Sequence, residues 1–341
     1  MAKRMVSSLQ ANERVADFFL VGGCQLRPRR NGEGCYLALR LCDRSGTIEA
    51  RVWEKAEETH RLVHVDDVVH IVATVKLYNE ELQLNVTELR LAQEHEYAIE
   101  DFVPVSQRDP SLMLAELEDT IQSISNPHLV RLLRAILDQE TLAQLARSPG
   151  AQRIHHAYLG GLLEHVLEVV GYCREAMRQQ PQLDGDLLLT GAILHDLGKL
   201  REYTYARSFG FTDEGRLIGH VTFGHDLVAR ATEALEGFPP DLALRLRHLI
   251  LSHHGHYEWQ SPKRPKTLEA MVLHLADYFS SQVSIFISAI QESPASQGTW
   301  SAYNKYLDRP VFLGGTIPGS SYDEEPTQTQ ARTMGAKHQG Y

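Results

Sequence analysis

The chain of 341 residues has few cysteines, no long apolar run and a deficit of positive charge. Its 4 cysteines (Cys24, Cys35, Cys42 and Cys173) show no CxxC spacing, which argues against zinc knuckles and a disulfide framework. No stretch approaches the roughly 20 uninterrupted apolar residues of a spanning helix. The segment Met1 to Gln10 lacks the apolar run of a signal peptide. We therefore expect a cytoplasmic protein with no membrane partner.

The charge balance is acidic, with 34 lysines and arginines against 44 aspartates and glutamates and a net charge of −10. This argues against a protein that coats duplex nucleic acid, although a groove can be locally basic in an acidic protein. The hydrophobic content of 43% excludes a disordered chain. At roughly 150 residues per domain, the length indicates about two domains.

Residues 13–92 have the pattern of a small β-barrel. Alternation over 35–41 and 46–53 predicts one hairpin, and the runs 68–77 and 82–87, with a turn at 79–81, predict a second. With the apolar run 15–21 there are five strands, and a helix is predicted at 54–64 between the third and fourth. This is the order of an OB-fold, a nucleic-acid-binding barrel. Another small barrel is the alternative.

Candidate nucleic-acid contacts lie on this barrel. Tyr36 and Trp53 fall on strand faces that also carry Arg40 and Arg51, and a loop after the first strand contains Arg27, Arg29 and Arg30. Aromatic rings that stack bases and cations that contact phosphates are what a single-strand groove requires. We therefore predict that Tyr36, Arg51 and Trp53 bind substrate. The alternative for each ring is packing against the predicted helix at 54–64.

The second half of the chain has a helical period. A polar, proline-containing linker is predicted at 93–110, a helical domain at 111–312, and a low-complexity tail at 313–341 that is disordered after about 320. No strand is expected in the helical half. Its predicted helices are 128–137, 140–147, 158–178, 186–197, 222–236, 241–253 and 267–290.

Histidines are concentrated in this helical half, with eleven of the 17 between residues 155 and 274. Several of them interrupt apolar helical stretches, as His195 and Asp196 do. Burying such groups costs several kcal/mol unless they are paired or bind a metal. Imidazole and carboxylate ligands without thiolate favour Mn²⁺, Fe²⁺, Co²⁺ or Mg²⁺, and Zn²⁺ remains an alternative. The number of ligands suffices for one ion and most of a second, an arrangement that supports phosphoryl displacement.

The order His, His-Asp, His, His and Asp, with Gly198-Lys199 after the His-Asp pair, resembles the HD-domain superfamily of metal-dependent phosphohydrolases over residues 150–290. The segments 155–165, 195–199 and 261–270 are more narrowly similar to the YhaM-type 3′→5′ exoribonucleases. That family also places an OB-fold before its HD domain. The resemblance therefore spans residues 15–312.

The resemblance implies roles for individual residues. His165, His195, Asp196 and Asp277 match the core metal site, with Asp196 bridging two ions, and His220 and His253 match the pair that holds the second ion. His225 and His254 are the alternatives to that pair. Asp196 and Lys199 are the implied catalytic residues, although Lys199 could instead cap helix carbonyls. His274 is expected to support a ligand.

Further contacts with the substrate are expected at four residues. The basic loop with Lys263, Arg264 and Lys266 could guide the phosphates of a strand or simply be a solvated surface. His156 could face the substrate or cap a helix, as could its neighbour His155.

The function implied is hydrolysis of single-stranded RNA, with single-stranded DNA as an added substrate, from the 3′ end to nucleoside monophosphates. Two divalent ions, with Mn²⁺ favoured, are the implied cofactors. The alternatives are an HD phosphohydrolase acting on a small nucleotide or cyclic dinucleotide, and a non-catalytic adaptor that holds a structural metal. The sequence defines no oligomeric state.

Overall fold

The computed structural model describes residues 3–29, 32, 34–151, 156–204, 210–291, 293 and 299–314. The chain divides into two compact units, of which the first ends at Ser284 and the second begins at Ile285. The first unit contains a closed β-barrel followed by a helical bundle, in the order that the sequence predicts.

Five strands form the barrel in the order β1-β2-β3-β5-β4. The alternation in the sequence puts side chains such as Leu37, Leu39 and Leu41 inside, where they are fully buried. Antiparallel pairs dominate, and the parallel pairing of β3 with β5 completes the ring. A short helix, Ala56–Leu62 (α1), packs against β1 and β2. The strands are Arg14–Pro28 (β1), Cys35–Asp43 (β2), Gly46–Val52 (β3), Val68–Tyr78 (β4) and Glu81–Leu91 (β5).

The segment predicted as a linker is a packed connection. Its 3-10 helices Glu94–Glu96 and Ile99–Asp101 are followed by a bridge in which Val105 pairs with Leu159. The apolar residues of this connection are buried between the barrel and the start of the helical bundle. Their burial explains why the connection is a packed part of the fold. The buried cluster consists of Leu20, Val68, Ile99, Phe102, Val103 and Leu159.

The helical bundle surrounds a single large apolar cluster. Its first helices begin as the sequence predicts, because Asp109 and Asn126 cap chains that continue with a proline in the first turn. The helices are Pro110–Gln122 (α2), Pro127–Ile136 (α3), Gln139–Leu145 (α4), Gly161–Gln179 (α5), Gly185–Leu194 (α6), Lys199–Glu202 (α7), Asp213–Ile218 (α8), His220–Ala234 (α9), Pro240–Ser252 (α10) and Leu268–Gln291 (α11).

One expectation about this half is wrong, since the bundle does contain strands. Tyr203–Thr204 (β6) and Gly210–Phe211 (β7) pair as an antiparallel ribbon after α7. Strands of two residues are too short to produce an alternating pattern, so the sequence gives no signal for them.

By length and composition, α11 is the one helix among the described residues that could cross a membrane. It carries His274, Asp277 and Ser280, which all make contacts with residues of the bundle described below. We therefore interpret α11 as a helix of the bundle.

In the second unit, Trp300 pairs with Phe312 in a bridge and their rings meet edge to face. Arg309 lies over the ring of Phe286. The part of the predicted tail beyond residue 314 lies outside the described residues.

Candidate metal centre

The first group of candidate ligands comes from three helices. His165 lies on α5, His195 and Asp196 follow α6, and Asp277 lies on α11. His165 Nε2 is 3.2 Å from Asp277 Oδ1, 3.4 Å from Asp196 Oδ2 and 3.3 Å from His195 Nε2. Asp196 is 1% exposed, so these groups meet inside the protein.

A second group adjoins the first. His220 begins α9, and His253 and His254 follow α10. His220 Nε2 lies 3.3 Å from His254 Nε2 and 3.5 Å from Asp196 Oδ1, and His253 Nε2 lies 3.6 Å from the same oxygen. Asp196 therefore faces the first group with Oδ2 and the second with Oδ1.

The Nδ1 atoms of three of the histidines have backbone acceptors on the outer side of the centre. The carbonyl oxygens of Ala192, Ile250 and Trp259 accept from His195, His253 and His254 at 2.7 to 2.8 Å. Because a carbonyl can only accept, each of these rings carries its proton on Nδ1 and directs the lone pair of Nε2 inward. This is the orientation of a histidine that ligates a metal through Nε2.

Carboxylates orient the other two rings. His220 Nδ1 lies 2.9 Å from Glu202 Oε2. His165 Nδ1 donates to Ser280 Oγ at 3.0 Å, and that hydroxyl in turn donates to Glu168 Oε2 at 2.7 Å. Both arrangements are carboxylate–histidine supports of the kind that surround metal ligands.

The donor set fits divalent cations. Among the described residues, Asp196 Oδ1 and His253 Nε2 are buried and have no hydrogen-bond partner. Leaving such atoms unpaired costs about 1–3 kcal/mol each, and a cation between the two groups would satisfy both. Imidazole and carboxylate ligands suit Mn²⁺, Fe²⁺, Co²⁺ and Zn²⁺.

The electrostatics of the centre keep its carboxylates ionised. Burial would raise the pKa of Asp196, but Lys199 and His195 hold it well below its usual range. Burial also lowers the pKa of His165, yet hydrogen bonds to Asp196 and Asp277 outweigh this and raise it to about 9. Burial together with the neighbouring His253 and His220 lowers the pKa of His254. Hydrogen bonds to Asp196 and Asp277 thus favour a proton on His165, which a cation bound at this position would displace.

Lys199 is buried beside Asp196. Its Nζ lies 2.7 Å from Asp196 Oδ2 and donates to the carbonyl oxygen of Gly150 at 2.8 Å. Burial would lower the pKa of Lys199, but the charge of Asp196 raises it. Among the described residues, two of the three N–H donors have acceptors, which leaves the third for the cavity that Lys199 lines.

The centre opens into a cavity of about 490 Å³. Asp196, Asp277, His220 and His254 contribute to its lining together with His274. Four aromatic residues, Tyr203, Phe211, Trp259 and Tyr278, are also part of the lining.

The other residues predicted for this half lie outside the two groups of ligands, although His156 is close enough to His165 and Glu168 that these three could also share a cation. His225 contacts Asp226 and accepts a hydrogen bond from Arg247. His156 is buried, with Nε2 3.2 Å from Glu168 Oε1, and its neighbour His155 lies outside the described residues. His274 donates to the carbonyl oxygen of His253 at 2.8 Å, which supports the turn after α10. Lys263, Arg264 and Lys266 are exposed in the loop before α11.

On the barrel, the predicted binding residues Tyr36, Arg51 and Trp53 line one concave pocket, which has a volume of about 630 Å³. The guanidinium of Arg51 lies 5.4 Å from the ring centre of Tyr36, 5.9 Å from that of Trp53 and 5.1 Å from that of Tyr78. Arg27 and Arg29 complete the lining, and Arg30 lies outside the described residues. We call the lining residues Arg27, Pro28, Arg29, Tyr36, Arg51, Trp53 and Tyr78 the barrel surface.

Sequence reasoning missed the residues that support the ligands. Glu168 and Ser280 lie three positions after His165 and Asp277, and Glu202 lies three positions after Lys199. On a helix, this spacing puts each of them on the same face as the functional residue. A search for polar residues at that spacing would have found all three.

Comparisons with known proteins agree with this architecture. The family model described as an OB-fold nucleic acid binding domain matches residues 24–92, and the HD domain model matches residues 162–282. These matches confirm the predicted fold class, an OB-fold followed by a helical HD domain. Fold and site together define an HD-domain hydrolase with a nucleic-acid-binding barrel.

A curated relative, the 3′-5′ exoribonuclease YhaM of Shouchella clausii (strain KSM-K16), is 36% identical over 281 residues, covering 81% of this chain and 88% of the relative. The chain belongs to the YhaM family of 3′-5′ exoribonucleases.

Two solved structures are also similar in part. The second OB-fold domain of replication protein A from Methanococcus maripaludis shares 19% identity at a TM-score of 0.24, covering 27% of this chain and 96% of that one. The HD domain of the L. monocytogenes phosphodiesterase PgpH shares 17% identity at a TM-score of 0.28, covering 43% of this chain and 74% of that one.

Proposed function

We propose that the protein removes nucleotides one at a time from the 3′ end of single-stranded RNA, and also of single-stranded DNA, and releases nucleoside monophosphates. The reaction uses two divalent ions, with Mn²⁺ favoured, and takes place in the cytoplasm. The observation that carries this proposal is the position of Asp196, which lines the cavity and whose two oxygens face two separate groups of ligands.

Each group of residues would hold one ion. His165, His195 and Asp277 form the first group, His220, His253 and His254 form the second, and Asp196 contributes an oxygen to both. When bound, such ions activate water and stabilise the charge that develops on a phosphoryl group during displacement.

Residues of the chain itself orient the reacting groups. Lys199 fixes Asp196 and keeps a donor for a phosphate oxygen in the cavity, where fixed positive charge favours the transition state. Glu202, Ser280 and the backbone acceptors hold the imidazole rings in their ligating orientation. Preorganisation of this kind avoids rearrangement during the reaction.

The barrel surface would bind the strand upstream of the cavity. Its exposed rings can stack bases whatever their identity, and Arg27, Arg29 and Arg51 supply charge for phosphates. This combination favours a single strand, because the bases of a duplex are already stacked on one another. A small-nucleotide hydrolase has no use for such a surface, and the curated relative is an exoribonuclease.

A time course on a 5′-labelled single-stranded RNA with Mn²⁺ tests the proposal. We expect a ladder that shortens from the 3′ end, and no ladder with a chelator or with Asp196→Ala. If the RNA stays intact while the same preparation hydrolyses a nitrophenyl phosphodiester or a nucleotide, the small-nucleotide alternative replaces our proposal.

A further inference from the structure

Two exposed aromatic rings line the cavity that contains the candidate metal ligands. Trp259 and Tyr278 stack nearly parallel, with ring centres 5.2 Å apart and an angle of 12° between their planes. Trp259 is 45% exposed and Tyr278 is 41% exposed. Large aromatic surface left open to solvent in a cavity offers a flat apolar partner for a ligand that has a π-face.

The backbone ties both rings to the metal centre. The carbonyl oxygen of Trp259 accepts a hydrogen bond from His254 Nδ1 at 2.8 Å, and Tyr278 directly follows Asp277 on α11. The distance from each ring to the ligands is therefore set by only a few bonds.

The turn that carries Trp259 also packs closely on α11. Gly255 has a φ of +77°, and a Cβ at this position would lie 2.2 Å from the ring of His274. Only glycine allows this approach, which brings the turn and the helix with Tyr278 together.

The cavity combines charged groups with aromatic surface. The lining includes the charged groups Asp196, Asp277 and Lys199 beside ligand histidines, and the aromatic residues Trp259, Tyr278, Tyr203 and Phe211. A nucleotide has the same two components, since its phosphate is charged and its base is flat and aromatic.

On the basis of the proposed function, we propose that Trp259 and Tyr278 form a stacking subsite for a nucleobase at the 3′ end of the strand. Stacking on this pair holds the base while the adjacent phosphodiester lies at the metal centre. It accepts every base, because each has a π-face.

Equilibrium binding tests the subsite without relying on hydrolysis. Full-length protein with Mn²⁺ is titrated with adenosine monophosphate and with ribose 5-phosphate, which lacks the base. We expect the wild type to prefer the nucleotide by roughly 5- to 150-fold, the range for one stacked base. Trp259→Ala and Tyr278→Ala should lose most of this preference, whereas Trp259→Phe should keep most of it.

Tyr257→Ala is the matched control. Tyr257 lies in the same 3-10 helix as Trp259 and is 61% exposed, but it lies outside the cavity lining. Its replacement should leave the preference unchanged. A wild type without a preference, or a preference that survives both Trp259→Ala and Tyr278→Ala, would overturn the stacking subsite.

Hydrolysis separates this proposal from the proposed function. We expect Trp259→Ala to reduce kcat/KM on ordinary RNA by roughly 5- to 150-fold and to have little effect on RNA whose 3′-terminal nucleotide lacks its base. Equal losses on both substrates would indicate a structural role and contradict the subsite. An RNA that the wild type leaves intact would overturn the proposed function, while the binding preference still decides the subsite.

Discussion

Asp196 is the residue on which both halves of the metal centre depend. Asp196→Asn keeps the shape of the side chain but removes the charge that both groups of ligands share. We expect bound Mn²⁺ to fall below one ion per chain. We also expect activity to fall by more than the 10- to 100-fold that is typical of changes outside the ligand set.

Isothermal titration with Mn²⁺ and an RNA time course measure these two effects. Asp226→Asn is the control. Asp226 is exposed on α9 and contacts His225, which lies outside both groups of ligands. Wild-type metal binding by Asp196→Asn would contradict the shared-carboxylate arrangement.

Glu168 acts through Ser280 on the ring of His165. Glu168→Gln weakens the acceptor that fixes the hydroxyl, so we expect a loss of metal affinity of about 10- to 100-fold at the first group. Activity should return to the wild-type level at saturating Mn²⁺. This would show that Glu168 positions a metal ligand and takes no part in the chemical step.

The affinity is read from the Mn²⁺ dependence of activity. Glu175→Gln is the matched control on the same helix, where Glu175 is exposed and pairs with Arg178. An activity defect that added Mn²⁺ does not restore would argue against the positioning role of Glu168.

At the scale of residues, the sequence identifies as candidate metal ligands those polar residues that interrupt apolar helices, because a buried His195 or Asp196 requires a partner. It leaves open the choice between His220 and His225, and between His253 and His254. Geometry is needed for that choice: the structure brings His220, His253 and His254 together and turns His225 toward Arg247. The supporting groups are harder to see, because a serine or glutamate on a helix is usually solvated.

At the scale of elements, a glycine allows two helices to meet behind the centre. A Cβ on Gly198 would lie 2.0 Å from the carbonyl oxygen of His220, so the turn after Asp196 packs directly on the start of α9. Gly198→Ala should displace His220 and destabilise the fold by about 1–3 kcal/mol, as overpacking does. We expect the second ion to bind more weakly than the first.

Urea unfolding and Mn²⁺ stoichiometry measure both effects. Gly171→Ala on α5 is the control, because a Cβ there has no atom within 4 Å among the described residues. It should stabilise the helix by about 0.5–1 kcal/mol. Gly198→Ala with wild-type stability would contradict the close packing of the turn.

The elements themselves are largely predictable. Period and caps identify the barrel strands and helices such as α2 and α3, since each buries one regular face. The ends of the elements are less predictable. The helix predicted to begin at residue 158 begins at Gly161, because Gly160 adopts a φ of 80° that ends the preceding turn. The strands β6 and β7 give no periodic signal at all.

At the scale of the molecule, the barrel surface should matter only for substrates long enough to reach it. Arg51→Ala removes the cation that lies over three rings, so we expect weaker binding of long RNA and a smaller dependence on salt. Hydrolysis of a dinucleotide should stay unchanged.

Fluorescence anisotropy at several salt concentrations measures the binding. Arg14→Ala is the control, because Arg14 is an exposed residue of β1 outside the barrel surface. Equal losses of activity on the dinucleotide and on long RNA would contradict a role limited to long strands.

The order of the two domains is predictable from the change of period, but the nature of the connection is not. The segment 93–110 reads as polar, and its few apolar residues find partners that are distant in the sequence, as Phe102 does beside Leu20. No local pattern reports such contacts.

This connection has a consequence for the length of the products. The backbone N–H of Leu159 donates to the carbonyl oxygen of Pro104, and that of Ser106 donates to the carbonyl oxygen of Leu159, both at 2.9 Å. The connection that follows the barrel is thereby fastened just ahead of α5, the helix that carries His165. We therefore expect the span between the barrel surface and the metal centre to set a minimum length for strands that contact both. A strand trimmed to less than that span loses its hold on the barrel, so degradation should slow at one characteristic length.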